Sequence, residues 1–133
     1  MKPALRIAEN ADGKQIGELA WAAGFTVEGV NWEDVYPYWL VAELHGGIVG
    51  AIQVLPGKPV GRLEMLCVDK SLRKRDRGAV VMALLYQALA VLELHGSQLA
   101  SGFLPTEMQS YARVIAKRGA WSVGYGELLL ARV

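Results

Sequence analysis

The sequence is poor in the features that mark disulfide-stapled, nucleic-acid-binding or membrane-spanning chains. Its 133 residues include a single cysteine, Cys67, so no disulfide can form within the chain and a cytoplasmic location is expected. The formal net charge is only +1, which produces no overall field toward nucleic acid or a membrane surface. The most apolar stretch, residues 79–94, is shorter than the roughly 20 residues that a membrane span needs. We therefore expect neither nucleic acid nor a membrane among the partners.

The chain also offers little for metal binding or covalent catalysis. Its two histidines, His45 and His95, each precede a glycine at a predicted turn, and isolated turn histidines are more often solvated than metal-bound. Cys67 lies in a predicted strand, where cysteines are usually inert packing residues. We expect no metal site and disfavour a cysteine nucleophile.

What the chain does contain is a folded, apolar-rich composition. Hydrophobic residues make up 53% and charged residues 20%, which suits a single domain spanning residues 1–133. Periodicity predicts this order of elements: a strand at 4–9, a helix at 12–24, a short helix at 32–35, strands at 39–44, 48–54 and 62–68, a helix from 78 to about 95, a strand at 98–104, a helix after 106, and one or two strands in 121–132. Short turns make the early strands antiparallel, whereas the later strands, joined through helices, can be parallel. The predicted fold class is α/β, with a mixed, twisted sheet covered by helices.

Helix boundaries are marked by capping residues. Asp12 with Gln15, and Thr106 with Gln109, have the spacing of capping boxes, and Gly24 suits the position that follows a helix.

The strongest local signal for function lies in the turn between the third strand of the central group and the helix that follows. The strand ends at Val68, and five of the six residues from Arg73 to Gly78 are Arg, Lys or Gly. Gly78 permits close approach of the backbone where the helix is predicted to begin, and free N–H groups at a helix start bind phosphate. This predicts a phosphate or pyrophosphate site; a solvated basic turn is the alternative. The turn lacks the Gly-Lys-Ser/Thr of a P-loop, so a nucleoside triphosphate site is not supported.

The same run resembles the central motif of the GNAT superfamily of N-acetyltransferases, V-x-P-x-x-R/Q-x-x-G-x-G/A. Val68, Arg73 and Gly78 stand at the expected spacing, whereas Lys70 replaces the usual proline and Asp76 replaces the first glycine. A carboxylate at that position should repel a pyrophosphate unless Arg75 or Arg77 neutralises it. Further segments resemble the family in order along nearly the whole chain: 5–20, 39–43 with 47–51, and 117–119.

The resemblance implies a fold and a reaction. The fold is a GNAT-like mixed, twisted, mostly antiparallel sheet of six or seven strands flanked by about four helices. The reaction is direct transfer of an acetyl group from acetyl-CoA to a primary amine. By resemblance, the backbone of Leu66, Cys67 and Val68 faces the pantetheine arm. The pyrophosphate is held, mostly through backbone N–H groups, by Arg73, Lys74, Arg75, Asp76, Arg77, Gly78 and Ala79.

Two candidate catalytic residues follow from the resemblance. Glu64, the one carboxylate on an apolar strand, matches a family glutamate proposed to deprotonate the amine; the alternative is a surface glutamate paired with Arg62 or a neighbouring strand. The family often has a tyrosine as general acid four residues before the glycine that ends the last helix, but Ile115 occupies that position here. Tyr111 lies one turn earlier and is the substitute candidate, with core packing as the favoured alternative.

The resemblance implies that the acceptor is covered by the segment from Phe25 to Tyr38. This segment carries acidic and aromatic residues that suit a cationic amine: Glu28, Trp32, Glu33, Asp34, Tyr36 and Tyr38. An ordinary acidic helix start is the alternative. A polyamine, an amino sugar, a peptide N-terminus and a lysine side chain all remain open.

Two other functions stay possible from the sequence. One is a non-catalytic acyl-CoA-binding or regulatory module, which Asp76 and the missing tyrosine favour. The other is a nucleic-acid or protein interaction domain that uses the basic run Arg73–Arg77. The expected partners are acetyl-CoA and an amine acceptor, either a small molecule or a peptide, and a homodimer stays open.

Overall fold

A tight hairpin joins two of the predicted strands. The computed structural model describes residues 2–26, 31–103, 121–122 and 128–132, and in it β2 (Trp39–Leu44) and β3 (Gly47–Leu55) are connected by two residues. These residues, His45 and Gly46, have φ values of 52° and 79°. Positive φ at both positions is the type I′ geometry, whose twist matches that of the flanking strands. The predicted hairpin is confirmed.

The hairpin is extended on one side by β1 (Ala4–Ile7), which pairs antiparallel with β2. Along β2 and β3 the register shifts by one residue between Ala42 and Glu43, so that Trp39 lies opposite Gln53. Such a bulge changes which side chains share a face of the sheet.

The first helix, α1 (Gly13–Ala22), ends as the sequence predicted. Gly24 has a φ of 90°, and Phe25 N donates to Ala20 O at 2.9 Å while Gly24 N donates to Trp21 O at 3.0 Å. These two bonds form a Schellman motif, which satisfies carbonyls that the helix leaves free. The short helix α2 (Trp32–Val35) is also present where it was expected.

The capping box predicted for Asp12 and Gln15 is wrong. Asp12 Oδ2 accepts from Glu9 N at 2.7 Å and so caps the short 3-10 helix before α1, while Gln15 Oε1 accepts from Ile48 N at 3.4 Å. Both side chains have partners that a local sequence pattern does not reveal.

The long helix α3 (Lys74–Leu94) begins four residues before its predicted start at Gly78 and has 21 residues. By length and composition alone it would be apolar enough to cross a membrane, but a core helix of a globular protein has the same properties. It is buried at Val80, Val81, Leu84 and Ala88. We therefore describe it as a core helix.

The chain forms two compact units. The first comprises Met1–Gln53 and Met65–Ala88, and the second comprises Val54–Glu64 and Leu89–Val133. In the first unit, Gly50 on β3 allows α3 to pack closely, because a Cβ atom there would lie 2.6 Å from Val80 Cγ1 and 3.1 Å from Leu84 Cδ1. The helix can therefore pack closely against β3 because Gly50 has no side chain.

In the second unit, the beginning of β4 (Val60–Val68) pairs parallel with β5 (Leu99–Phe103). β5 pairs antiparallel with β7 (Leu128–Arg132), and β7 pairs antiparallel with β6 (Trp121–Ser122). The expected combination of antiparallel early strands and a parallel pair across a helix is confirmed, and so is the mixed α/β class. The single domain and the expected counts of six or seven strands and about four helices stay predictions for the whole chain.

A partly buried ion-pair cluster ties the first strand to its neighbours. The Arg6 guanidinium donates to both carboxylate oxygens of Asp12, at 2.7 Å and 3.0 Å, and also to Glu43 on β2. Asp12 is buried, and the hydrogen bond from Arg6 holds the pKa of its carboxyl below the usual range.

This cluster predicts a specific dependence of stability on pH. A carboxyl whose pKa is lowered by folding contributes stability above its unfolded pKa, and loses it as pH falls through the folded value. The free energy of unfolding should therefore fall below about pH 4. Asp12→Asn should cost about 2 kcal/mol at pH 7, because a charged hydrogen bond is lost.

Urea unfolding of both proteins at pH 7, 5 and 3 measures these effects. The gap between wild type and Asp12→Asn should narrow below pH 4. Asp34→Asn, which alters an exposed aspartate hydrogen-bonded to Asn31, is the control and should change stability little. A constant gap at every pH would contradict the assignment.

Candidate functional site

The backbone conformation of strand β4 changes at Met65. This residue has a φ of 54°, a left-handed conformation that costs a non-glycine residue roughly 1–3 kcal/mol. Among the described residues, the parallel ladder of β4 with β5 covers Val60 to Leu63 and does not include Leu66, Cys67 or Val68. On the side of β4 that faces β5, the backbone N–H and C=O groups of Leu66–Val68 therefore lie outside the described ladder.

On its other side, this stretch of β4 is anchored to β3. Asp69 N donates to Val49 O at 2.8 Å, and Cys67 Sγ donates to Ala51 O at 3.6 Å. Cys67 is fully buried, and burial raises the pKa of its thiol to about 12. At neutral pH the thiolate is therefore negligible, in agreement with the sequence-based view that Cys67 is a packing residue.

The turn after β4 is organised by Asp69. Its carboxylate oxygen Oδ1 accepts from Ser71 N at 2.9 Å and from Ser71 Oγ at 2.8 Å, and its carbonyl accepts from Leu72 N at 3.3 Å. Side-chain acceptance of an N–H two residues ahead is an Asx turn, which reverses the chain without glycine. It leads the backbone from the strand into α3.

The start of α3 differs from the prediction and changes which backbone donors are free. Arg77 N already donates to Arg73 O at 2.9 Å, so the N–H groups without helical acceptors are those of the first turn, at Lys74, Arg75 and Asp76. Gly78 lies inside the helix, as does Ala79, rather than at its start. The role of Gly78 and Ala79 as backbone donors is therefore not supported by the helix boundary.

Asp76 has a partner, but not one of the two arginines expected. Its Oδ2 accepts from Arg73 Nε at 3.0 Å. Arg77 is half-buried, and its Nε has no hydrogen-bond partner among the described residues. Lys74 and Arg75 are exposed, and the described part of the chain offers neither of them an ion pair. The helix start thus contains the Arg73–Asp76 ion pair and, next to it, the exposed side chains of Lys74 and Arg75.

The candidate base is paired as well. Glu64 Oε1 lies 3.3 Å from Arg62 Nη1, and the Glu64 side chain is 37% exposed. Of the two readings open from the sequence, the geometry shows the one in which Glu64 pairs with Arg62. Its catalytic role stays a prediction. Tyr111 lies outside the described residues, so its role as general acid also stays a prediction.

The first unit contains a cavity of about 400 Å³ that the sequence did not reveal. Its lining combines four large apolar or aromatic side chains with three polar ones and two glycines: Ile16, Trp32, Trp39, Met65, Asn10, Lys14, Gln53, Gly13 and Gly17. Met65 is the strained residue that precedes Leu66, so the cavity and the part of β4 that lies outside the described β5 ladder are adjacent along one strand.

Trp32 forms one wall of the cavity and is held firmly. Its Nε1 donates to Asn10 O at 2.8 Å, and its ring lies 6.3 Å from the ring of Trp39. Gly13 makes room for it, because a Cβ atom there would lie 2.8 Å from the indole. These contacts place α2 beside the start of α1.

The acidic residues predicted to cover the acceptor do not line this cavity. Glu33 and Asp34 on α2 are exposed, and Asp34 accepts a hydrogen bond from Asn31. They are thus acidic residues in the first turn of a helix, which was the alternative reading. Glu28 lies outside the described residues.

Comparison with known proteins identifies the fold. No protein-family model and no curated protein matches the chain. N-acetylglutamate synthase from Neisseria gonorrhoeae, solved with coenzyme A and L-arginine, is similar with a TM-score of 0.81 and 15% identity, over 99% of this chain and 33% of that one. The chain therefore spans about a third of the synthase.

Two shorter proteins match over almost their whole length. Diaminobutyrate acetyltransferase EctA from Paenibacillus lautus, solved with its substrate and coenzyme A, has a TM-score of 0.71 and 18% identity, over 97% of this chain and 92% of that one. A GNAT-family acetyltransferase from Staphylococcus aureus has a TM-score of 0.76 and 11% identity, over 98% of each chain. The chain therefore has the fold of the GNAT acetyltransferases, as its sequence motifs implied.

Proposed function

We propose that the chain is an N-acetyltransferase that uses acetyl-CoA as co-substrate and a primary amine as acceptor. One observation carries this: the stretch Leu66–Val68, outside the β5 ladder, leads through an ordered turn into the free N–H groups of α3. A strand edge that continues into a helix start suits an extended arm ending in a diphosphate. The synthase and the diaminobutyrate acetyltransferase, both solved with coenzyme A, support the proposal.

The residues present fit acetyl-CoA. The amide-bearing pantetheine arm adds to the backbone of Leu66–Val68 as a further strand would. The pyrophosphate accepts from the N–H groups of Lys74, Arg75 and Asp76, at the positive end of the helix dipole, and the two exposed side chains add charge. When bound, acetyl-CoA supplies the activated acetyl group as a thioester. Arg73 offsets the charge of Asp76, which would otherwise oppose an anion there.

The state of the cysteine supports direct transfer. A covalent acetyl-enzyme requires a nucleophile near the thioester, and Cys67 is buried, protonated and hydrogen-bonded to Ala51 O. In this proposal the amine attacks the thioester within a complex that holds both substrates. Glu64 is proposed to take the proton from the amine. A cytoplasmic location, which the single cysteine suits, belongs to this proposal.

A non-catalytic acyl-CoA-binding module is the second candidate. The Arg62–Glu64 and Arg73–Asp76 ion pairs favour it, because the first engages the candidate base and the second sets a carboxylate at the proposed phosphate site. A nucleic-acid patch along Arg73–Arg77 is disfavoured, since Arg73 is paired and Arg77 is half-buried.

The cofactor site is tested by removing one backbone donor. Lys74 is the first residue of α3, where proline is well tolerated, so Lys74→Pro removes an N–H group while keeping the helix. Because a charge-assisted hydrogen bond is lost, affinity for CoA should fall about tenfold or more relative to Lys74→Ala, which removes only the side-chain charge. Calorimetry with CoA measures both variants. Equal affinity of the two variants would remove the helix start from the site.

The base is tested by separating Glu64 from its ion pair. Glu64→Gln should lower the rate of acetyl transfer at neutral pH by about a hundredfold, a typical contribution of general-base catalysis, with CoA affinity unchanged. Arg62→Gln breaks the same ion pair but should keep most of the activity. Thiol release with a panel of amines measures the rate, and Glu93→Gln on the exposed face of α3 is the control. Equal losses in Glu64→Gln and Arg62→Gln would assign the effect to the ion pair instead.

Direct transfer is tested at Cys67. The native thiol should resist alkylation, since burial suppresses the thiolate, and Cys67→Ala should keep turnover at a cost of about 1 kcal/mol in stability. Alkylation followed by mass spectrometry, with and without urea, measures reactivity. An acetyl group recovered on Cys67 after incubation with acetyl-CoA would contradict direct transfer.

A further inference from the structure

Helix α3 is apolar on its outer face as well as on the inner face, where Val80 and Leu84 are buried. Although the helix is apolar enough to lie wholly inside a core, 33% of its most apolar 18-residue stretch is buried. Tyr86 is 40% exposed and Leu94 is 84% exposed. An exposed apolar surface of this kind marks an interaction site, so the outer face of α3 requires an occupant.

The residues of the outer face have a regular spacing. Because α3 is one continuous helix, the direction of each side chain around its axis follows from 3.6 residues per turn. On the side away from the buried positions, steps of four and three residues alternate along a seam that we call the outer seam: Arg75, Ala79, Met82, Tyr86, Leu89 and Glu93. All six residues are exposed or partly exposed. This is the spacing at which the helices of a coiled coil meet, so the outer seam suits a second helix.

The two ends of the outer seam carry opposite charges. Arg75 and Glu93 lie roughly 27 Å apart along the helix axis, and the four seam residues between them are uncharged. Both charged side chains are exposed, and neither forms an ion pair with a residue that the structure describes. The helix that fits this seam best is therefore apolar in its middle, with an acid opposite Arg75 and a base opposite Glu93.

Helix α3 of a second copy has these properties when it runs antiparallel to the first. Positions equidistant from residue 84 then face each other in three layers: Arg75 faces the partner's Glu93, Ala79 faces the partner's Leu89, and Met82 faces the partner's Tyr86. The layers are an ion pair, a small residue against a large one, and a thioether against an aromatic ring. In a parallel pair each charged residue would instead face its own copy, and like charges repel.

We propose that the chain forms a two-fold symmetric homodimer in which the outer seams of two α3 helices pack antiparallel. A two-fold interface must be complementary to itself, and the outer seam meets this condition in charge and in side-chain size. The inference does not depend on acetyl transfer. Arg75 also lies beside the proposed diphosphate site, where Lys74 can act alone, whereas Glu93 belongs to the outer seam only. Glu93 therefore provides the sharper test.

Sedimentation equilibrium over a series of protein concentrations tests the dimer. Wild-type protein should approach twice the chain mass of 14.5 kDa. Glu93→Arg should raise the dimer dissociation constant about tenfold or more, because it places arginines opposite each other at both ends of the interface. Arg75→Glu should have the same effect, and the double variant should restore the wild-type constant because the charges are exchanged. Gln87→Glu, at an exposed position of α3 outside the outer seam, is the control and should leave the constant unchanged.

A neutral variant tests the apolar middle of the outer seam. Ala79 is exposed, so Ala79→Gln should keep the fold, which circular dichroism checks. It should raise the dissociation constant about tenfold, since a longer side chain separates the helix from the partner's Leu89.

Three results would overturn the proposal. The first is a wild-type monomer at every concentration; if that monomer co-sediments with phosphatidylcholine vesicles, the outer face belongs to a membrane surface. The second is a dimer that neither Glu93→Arg nor Ala79→Gln weakens, which would place the interface elsewhere. The third is a double variant that stays as weak as the single ones, which would assign Glu93 a partner other than Arg75.

Discussion

The break in β4 at Met65 is the constraint on which the proposed sites depend. A residue with positive φ interrupts the regular pleat, and the β5 ladder in the described residues ends at Leu63, before this residue. Beyond it, the stretch Leu66–Val68 stays fixed on its β3 side while keeping backbone groups outside the ladder. Met65 itself lines the cavity. The cost of one strained residue is offset by the buried apolar side chains that follow it, and the same strain brings a strand edge and a cavity together on one strand.

The helix start shows how a carboxylate can occupy the proposed anion site without abolishing it. Asp76 lies in the first turn of α3, where the helix dipole favours negative charge, and it pairs with Arg73. It therefore stabilises the helix in the absence of any ligand. A pyrophosphate arriving at the free N–H groups must compete with this carboxylate for Arg73 and for the dipole. Affinity for CoA should consequently be lower and more salt-dependent than at a glycine-lined turn, since Arg73, Lys74 and Arg75 are exposed.

The sequence predicts features whose cause is local, and misses those whose cause is a distant partner. The His45-Gly46 turn and the Gly24 helix end could be predicted because glycine is the residue that most readily adopts a positive φ, so its position in the sequence indicates such turns. The Asp12–Gln15 box failed because Arg6 and Glu9 bind Asp12. The cavity was not predicted because it depends on a bulge between β2 and β3. A two-residue turn without a bulge would set Trp39 opposite position 52. The bulge adds one residue, so Trp39 lies opposite Gln53 instead. Nothing in the strand pattern marks that bulge.

Helix α2 shows how residue composition misleads when exposure is unknown. Glu33 and Asp34 suggest a cation-binding surface when read beside Trp32, yet they are exposed in the first turn of α2, where acidic residues are favoured whatever the ligand. The cavity beside that helix is lined instead by indoles and by Lys14. Lys14 is exposed as well, so solvent screens its charge as it screens those of Glu33 and Asp34. The buried indole of Trp39, rather than any charge, is what distinguishes the cavity from the surface a few residues away.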